Sequence, residues 1–429
     1  MKRNPTTLYL AAAIRDAGGH VARPGAIAVR DGRVVDAGHP NDISRRLRNT
    51  ARTVELPEDL LLPAMVNAHA HLDLTHVPAV DYTGDFLAWL KQVRTARPTD
   101  FDAVGAAVAE GLRLSREAGV GYVGDIAGSV DAIRARHAVG EGLALPGVSY
   151  LECFGFDTML DAAADRIEAW LDPLPFDVPV PGHVRGVTLG IQPHAPYSVG
   201  RTLYDAATRL SHKHIYRLST HLAESPAELE FVRDATGPFV DLLRELGKLP
   251  DTLQATGKHP IDWLEPNLKR GRWLLAHCNY IEDRHITTLK RTGTSVVYCP
   301  LASEYFGHPE QGQHRYREML AAGVNVCLGT DSLLCQQGVD QPMGIMPQMR
   351  RLYARDETAP ELLLEMATTH GRLALEFSDT DATLRRGAPA VFTAVRIDPD
   401  DATDPLTQAL TNDHPARSIH AELTDESND

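Results

Sequence analysis

The sequence predicts an α/β fold: a (β/α)8 barrel of the TIM type, with a small β-sandwich domain formed by both termini. Three observations carry that expectation. Eight short apolar, β-rich runs alternate with helical stretches through the middle of the chain. Strand-like text occurs again before and after that alternation. Several of the eight runs end in His, Glu or Asp, and the C-terminal strand ends are where a parallel barrel keeps its reactive groups. The expected division is 1–58 plus 384–429 for the small domain and 59–383 for the barrel.

In chain order, Met1-Lys2-Arg3 and the short apolar run from Leu8 to Ile14 superficially resemble a leader. The run is minimal and leads straight into strand-like sequence, so it is read as a first strand. From Gly25 to Gly38 two β-branched runs flank Asp31-Gly32, a strong hairpin signal. The eight barrel runs fall near 60–67, 120–126, 148–154, 187–193, 216–221, 272–277, 294–299 and 324–330. Helical text separates them at 86–118 (two helices), 129–139, 159–171, 201–212, 226–246, 283–291 and 315–322, with a last helix over 346–354. Ala390 to Val395 returns to strand-like sequence, and Asp425 to Asp429 form an acidic tail expected to fray.

The chain has 429 residues, 43 basic and 57 acidic, a formal charge of −14, which argues against a nucleic-acid-binding surface. A 43% hydrophobic content is that of a globular chain with a large core. The five cysteines show no CxxC or zinc-finger spacing, which suits a reduced, cytoplasmic protein. No apolar run approaches the ~18 residues of a membrane span.

The first run ends Asn67-Ala68-His69-Ala70-His71, and a strand's period of two sends both imidazoles to one side. The fifth ends His221-Leu222-Ala223-Glu224, the sixth Ala276-His277, and the eighth Thr330-Asp331. Any one of these would more often be an ordinary polar residue. Joint placement at strand ends of one barrel points to a metal site. Imidazole and carboxylate suit Zn²⁺ or Fe²⁺, and such an ion lowers the pKa of bound water from 15.7 towards ~7.

This constellation resembles the amidohydrolase superfamily, specifically its metal-dependent deaminases. The His221-x-x-Glu224 step carries the resemblance to that branch, with Pro193-His194-Ala195-Pro196-Tyr197-Ser198 and Gly329-Thr330-Asp331-Ser332. It implies His69, His71, His221 and Asp331 as ligands of one divalent ion. It also implies catalytic roles for His277 on the attacking water, Glu224 as proton shuttle and Asp331 as a proton acceptor. His194 stands where relatives contact the heterocycle, and Trp89 and Glu152 are further candidate substrate contacts. Two departures stand out: Ala64 where a Gly is common, and Pro300-Leu301-Ala302-Ser303 where Pro-Arg-Ser-Asn is common.

The reaction implied is hydrolytic removal of an amino group as ammonia from a small-molecule aromatic heterocycle. Leu87 and Ala88 stand where adenosine-type thioether deaminases commonly place an acid, and Asp85 is the nearest carboxylate. The wording around His71-Leu72-Asp73-Leu74 and Tyr305-Phe306-Gly307-His308 resembles deaminases of a modified adenine nucleoside, the aminodeoxyfutalosine group. A chlorohydrolase, a cyclic-amide hydrolase or an inactive barrel used for assembly remain the alternatives. Dinuclear relatives commonly bridge two ions with a carbamylated Lys on strand 4, and no Lys lies between Lys91 and Lys213. The resemblance also implies a homodimer. Gly119-x-Gly121-x-x-Gly124 matches a dinucleotide fingerprint, but it precedes a strand instead of following one, so Gly119 is read as a helix C-cap.

Overall fold

In the computed structural model, which describes residues 5–180, 186–309, 313–378 and 382–420, eight parallel strands follow one another around a barrel. They are Met65–Ala70, Val120–Ala127, Gly147–Cys153, Val187–Pro193, Arg217–Leu222, Trp273–His277, Ser295–Tyr298 and Val326–Leu328, here barrel strands 1 to 8. The first four are buried along their whole length, as a parallel sheet covered on both faces requires. Strands 1 and 8 close the ring at their ends: Ala70 bridges Asp331, and the amides of Thr330 and Asp331 donate to the His69 carbonyl at 3.1 and 3.0 Å. Buried Asn67 tightens the seam by donating to Thr330 Oγ1 at 2.8 Å and accepting from the Thr330 amide at 3.1 Å.

A seven-stranded sheet lies beside the barrel and mixes both ends of the chain. Its order is Arg417–His420, Val391–Arg396, Arg52–Pro63, Thr7–Arg15, Gly25–Arg30 and Arg33–Gly38, with Val21–Ala22 paired alongside Thr7–Arg15. Asp31 (φ 52°) and Gly32 (φ 67°) both take the left-handed conformation that a tight two-residue hairpin needs. The apolar run expected over 60–67 as one barrel strand is divided. Its first half ends the strand Arg52–Pro63 of the terminal sheet, and the barrel begins only at Met65. Both halves are fully buried, and Leu60, Leu62 and Met65 pack in one core, so hydrophobicity does not mark the handover. The expected 58/59 division falls inside the strand Arg52–Pro63.

The 86–118 stretch forms two helices, Phe86–Ala96 and Phe101–Glu117, whose first turns are capped by Asp85 and Asp100. The single helix expected over 226–246 breaks at Gly237-Pro238 into Pro226–Asp234 and Pro238–Glu245. Helices at Pro260–Leu268, Pro360–Ala367 and Thr369–Ala374 were not expected; the first carries Pro266 inside it, which reads as a breaker. Gly119 (φ 80°) ends a helix as expected. A Cβ at Gly124 would lie 2.3 Å from the Ala68 carbonyl oxygen, so that glycine serves strand packing. Among the described residues no helix is long and apolar enough to cross a membrane. Asp425 to Asp429 lie outside the described residues.

Candidate active site and metal centre

The strand ends converge as their positions in sequence suggest. His69 and His71 leave strand 1 with ring centroids 5.2 Å apart, and the His221 ring lies 5.0 Å from His69 and 5.6 Å from His71. His277 comes in from strand 6, 5.6 Å from His69. Asp331 Oδ1 lies 3.4 Å from His71 Nε2 and 3.9 Å from His69 Nε2. Donor atoms of His69, His71 and Asp331 lie within 4.8 Å of one another, as do those of His69, His221 and His277, and those of Glu224, His277 and Asp331. Glu224 Oε1 stands 3.6 Å from His277 Nε2. On the other flank of His221, His194 Nε2 lies 3.9 Å from Glu152 Oε1.

All of these side chains are buried except half-buried His194, and burial sets their protonation. Desolvation, then the neighbouring imidazoles, depress His69, His71 and His277 well below the usual histidine range; burial brings His221 to about 4. At neutral pH these rings keep the lone pairs that metal binding requires. His221 Nδ1 donates to the His194 carbonyl at 3.0 Å, which leaves Nε2 as the acceptor nitrogen. Neither ring nitrogen of fully buried His69 has a hydrogen-bond partner among the described residues. An unmet buried imidazole costs stability, and a cation would meet it. Burial raises Asp331 to about 7; burial, then Asp331, raises Glu224 well above the carboxylate range. A divalent ion would supply the missing counter-charge. The residues present fit such an ion.

The backbone at this rim is strained where it turns. Ala223 (φ 51°), His277 (φ 72°), Cys278 (φ 51°) and Asp331 (φ 61°) adopt left-handed conformations although none is glycine. Buried Glu228 supports the first turn by accepting from the Ala223 and Glu224 amides at 2.8 and 2.9 Å. The Ser332 amide donates to Asp331 Oδ1 at 2.8 Å, and His314 donates from Nε2 to the His277 carbonyl at 2.8 Å. Glu228 and His314 escape a sequence reading. Glu228 sits four residues beyond Glu224 in the first turn of the helix Pro226–Asp234, where an acid reads as an ordinary helix-start residue, and His314 meets the site only through the fold.

A cavity of about 740 Å³ opens above these groups. His71, Glu152, His194, His221, Glu224, His277 and Asp331 form its polar part; Phe86, Trp89, Leu90, Leu242, Leu243 and Phe306 form apolar wall. Asp85 is spent as a helix cap, accepting from the Ala88 amide at 3.0 Å. Arg97, which no sequence signal marked, bridges Asp73 (2.7 Å) and Glu152 (3.5 Å) at the cavity wall. In the divergent Pro300–Ser303 stretch, Ser303 donates to Asn279, which donates to the Glu224 carbonyl at 3.1 Å.

Barrel and site together define a hydrolase-type barrel whose strand ends gather imidazoles and carboxylates around one point. The chain belongs to the amidohydrolase family, whose model matches residues 60–421. It is 30% identical to the aminodeoxyfutalosine deaminase of Deinococcus radiodurans, over 73% of each chain. It is 26% identical to a 5-methylthioadenosine/S-adenosylhomocysteine deaminase of Syntrophobacter fumaroxidans, over 82% of this chain and 75% of that one. The fold superposes on the aminofutalosine deaminase of Helicobacter pylori with a TM-score of 0.73 at 20% identity, covering 94% of this chain and 95% of that one.

Proposed function

We propose that this chain is a metal-dependent hydrolytic deaminase that releases ammonia from an adenine-type nucleoside, in the manner named for its relatives. The observation that carries the reading is the meeting of His69, His71, His221, Asp331, His277 and Glu224 at one end of one cavity. His69, His71, His221 and Asp331 would hold one ion, with zinc the best match to these nitrogen and oxygen donors. When bound, that ion acidifies water and polarises the attacked carbon.

The chain's own residues do the rest. His277, neutral and 3.6 Å from Glu224, orients the water and stabilises charge that develops as it attacks. Glu224, whose burial raises its proton affinity, takes the attacking water's first proton and gives it to the ring nitrogen beside the amino group. Asp331 accepts the water's second proton and passes it to the departing amine. His194 and Trp89 bind the heterocycle, and the apolar wall excludes water from around it. The cavity exceeds what a free base fills, which favours a nucleoside with an extended substituent. The five buried free thiols suit a cytoplasmic protein; we carry the homodimer as part of the same proposal.

The test is ammonia release by the zinc-loaded chain from 5′-deoxyadenosine, methylthioadenosine and aminodeoxyfutalosine, with adenine, guanine and chloro-s-triazines alongside. Turnover confined to the nucleosides is expected. Chloride release from a triazine with no ammonia from any purine would replace this reading with a chlorohydrolase.

A further inference from the structure

Arg97 is an unusual element of the cavity wall. It follows the helix Phe86–Ala96, and its guanidinium reaches inward to two carboxylates that are each 3% exposed. Nε and Nη2 donate to Asp73 Oδ2 at 3.3 and 2.7 Å, and Nη1 donates to Glu152 Oε2 at 3.5 Å. The place is shaped for it. A Cβ on Gly128 would stand 1.5 Å from Arg97 Nη2, and the Gly128 amide donates to Asp73 Oδ2 at 3.2 Å. Gly128 shows no left-handed φ, so turn geometry does not demand glycine there; room for the guanidinium does.

Two carboxylates share one guanidinium at the wall. Asp73 takes the closer contacts, so Glu152 is the less satisfied of the two. Glu152 lines the cavity, and its Oε1 lies 3.9 Å from His194 Nε2, beyond hydrogen-bond distance. A buried carboxylate oxygen with acceptor capacity left over needs a donor. An adenine ring carries one donor group, its exocyclic amine, and that is the leaving group, committed to the opposite flank of His221 near Glu224 and Asp331. The ring nitrogens are acceptors. The hydroxyls of the attached sugar are the donors that remain. Asp85, the other acid near Trp89, is exposed, caps its helix and does not line the cavity.

We infer that Glu152 binds the vicinal hydroxyls of the substrate's ribose, and that Arg97, seated over Gly128, is the positioning residue that holds Glu152 aimed at them. This rests on the nucleoside reading above and adds the residue that selects the sugar.

The experiment compares kcat/KM of the zinc-loaded full chain for 5′-deoxyadenosine and for its analogue lacking the 2′ and 3′ hydroxyls. Hydrogen bonds from the diol to the Glu152 carboxyl oxygens predict a wild-type preference of about 10- to 100-fold for the diol. In Glu152→Gln the preference falls at least about fivefold, chiefly through KM, with bound zinc unchanged. Gly128→Ala alters no charge and touches no substrate, yet it displaces the guanidinium and lowers the preference in the same direction. Calorimetric binding of inosine against 2′,3′-dideoxyinosine reads the same ratio without turnover. A preference that survives both substitutions, or a loss equal for the two substrates, overturns the assignment of Glu152. Wild-type protein that deaminates nucleosides with no diol preference removes this inference alone. Protein that neither binds nor deaminates any adenine nucleoside removes the nucleoside reading and this inference with it.

Discussion

Asp331 is asked to serve twice, as a ligand and as a proton acceptor, and its setting suits both. Its backbone is held left-handed at φ 61°, one oxygen takes the Ser332 amide, and burial raises its proton affinity. Asp331→Ala removes a donor from the cluster with His69 and His71, so bound zinc and activity are both expected to fall, as they are for His71→Ala. Metal analysis beside ammonia release checks this; full metal with normal turnover in either variant would remove the ligand assignment. Glu224 separates the two roles. Glu224→Gln keeps the shape and loses the proton, so turnover should drop by about 10²- to 10⁴-fold with zinc retained. A variant that loses zinc but keeps its rate per bound ion would make Glu224 a ligand instead. The strand-end residues were legible because a two-residue period and a strand terminus fix where His69, His71, His221, His277 and Asp331 point. Arg97, Glu228 and His314 were not, because each acts through a contact between distant segments that no local pattern records.

The eight elements that aim these residues were readable as alternating apolar runs, yet their edges were not. From Leu60 to Val66 only Pro63 breaks a run of buried hydrophobic residues, while the chain passes from one sheet to another. Leu62 and Met65 are equally buried, so burial leaves no signature of the change. The seam between strands 1 and 8 is similarly silent in sequence, since Asn67 reads as one more polar residue before a histidine. In the fold it sets the distance between the ligands of strand 1 and Asp331. Asn67→Leu removes two buried side-chain hydrogen bonds at the seam, each contributing about 0.5–1.5 kcal/mol. Urea unfolding should show that loss, and zinc titration a weaker site, although Asn67 donates nothing to the ion. Wild-type zinc affinity in a destabilised Asn67→Leu protein would uncouple the seam from the site.

Across the whole molecule the strand Arg52–Pro63 of the terminal sheet leads directly into barrel strand 1 at Met65, and Thr393 ties sheet and barrel again by donating to the Gly119 carbonyl at 2.6 Å. We propose that the segments 1–58 and 384–429 and the barrel 59–383 are nonetheless separate in role, the sheet bracing the barrel's base and the site belonging to the barrel alone. That assignment bears on how many ions the molecule holds. A second divalent ion ~3.5–4 Å from the first would be strongly repelled unless an anion bridged the two. Strand 4 ends in Gln192, Pro193 and His194; Gln192 lies against His221 (3.3 Å) and His194 Nδ1 against Ser198 Oγ (2.6 Å). Glu152, the nearest carboxylate on strand 3, is engaged by Arg97. Glu224 stands on the far flank of His221 with His277, where the proposed reaction requires it uncoordinated. A bridge by Glu152 would have to break its contact with Arg97, and His69, His71, His221 and Asp331 are the ligands proposed for one ion. Metal analysis of active protein is expected to give one equivalent of zinc. Chelation should abolish ammonia release, and one equivalent should restore it in full. Two tightly held ions, with activity proportional to the second, would require a bridging anion and would release Glu152 from Arg97.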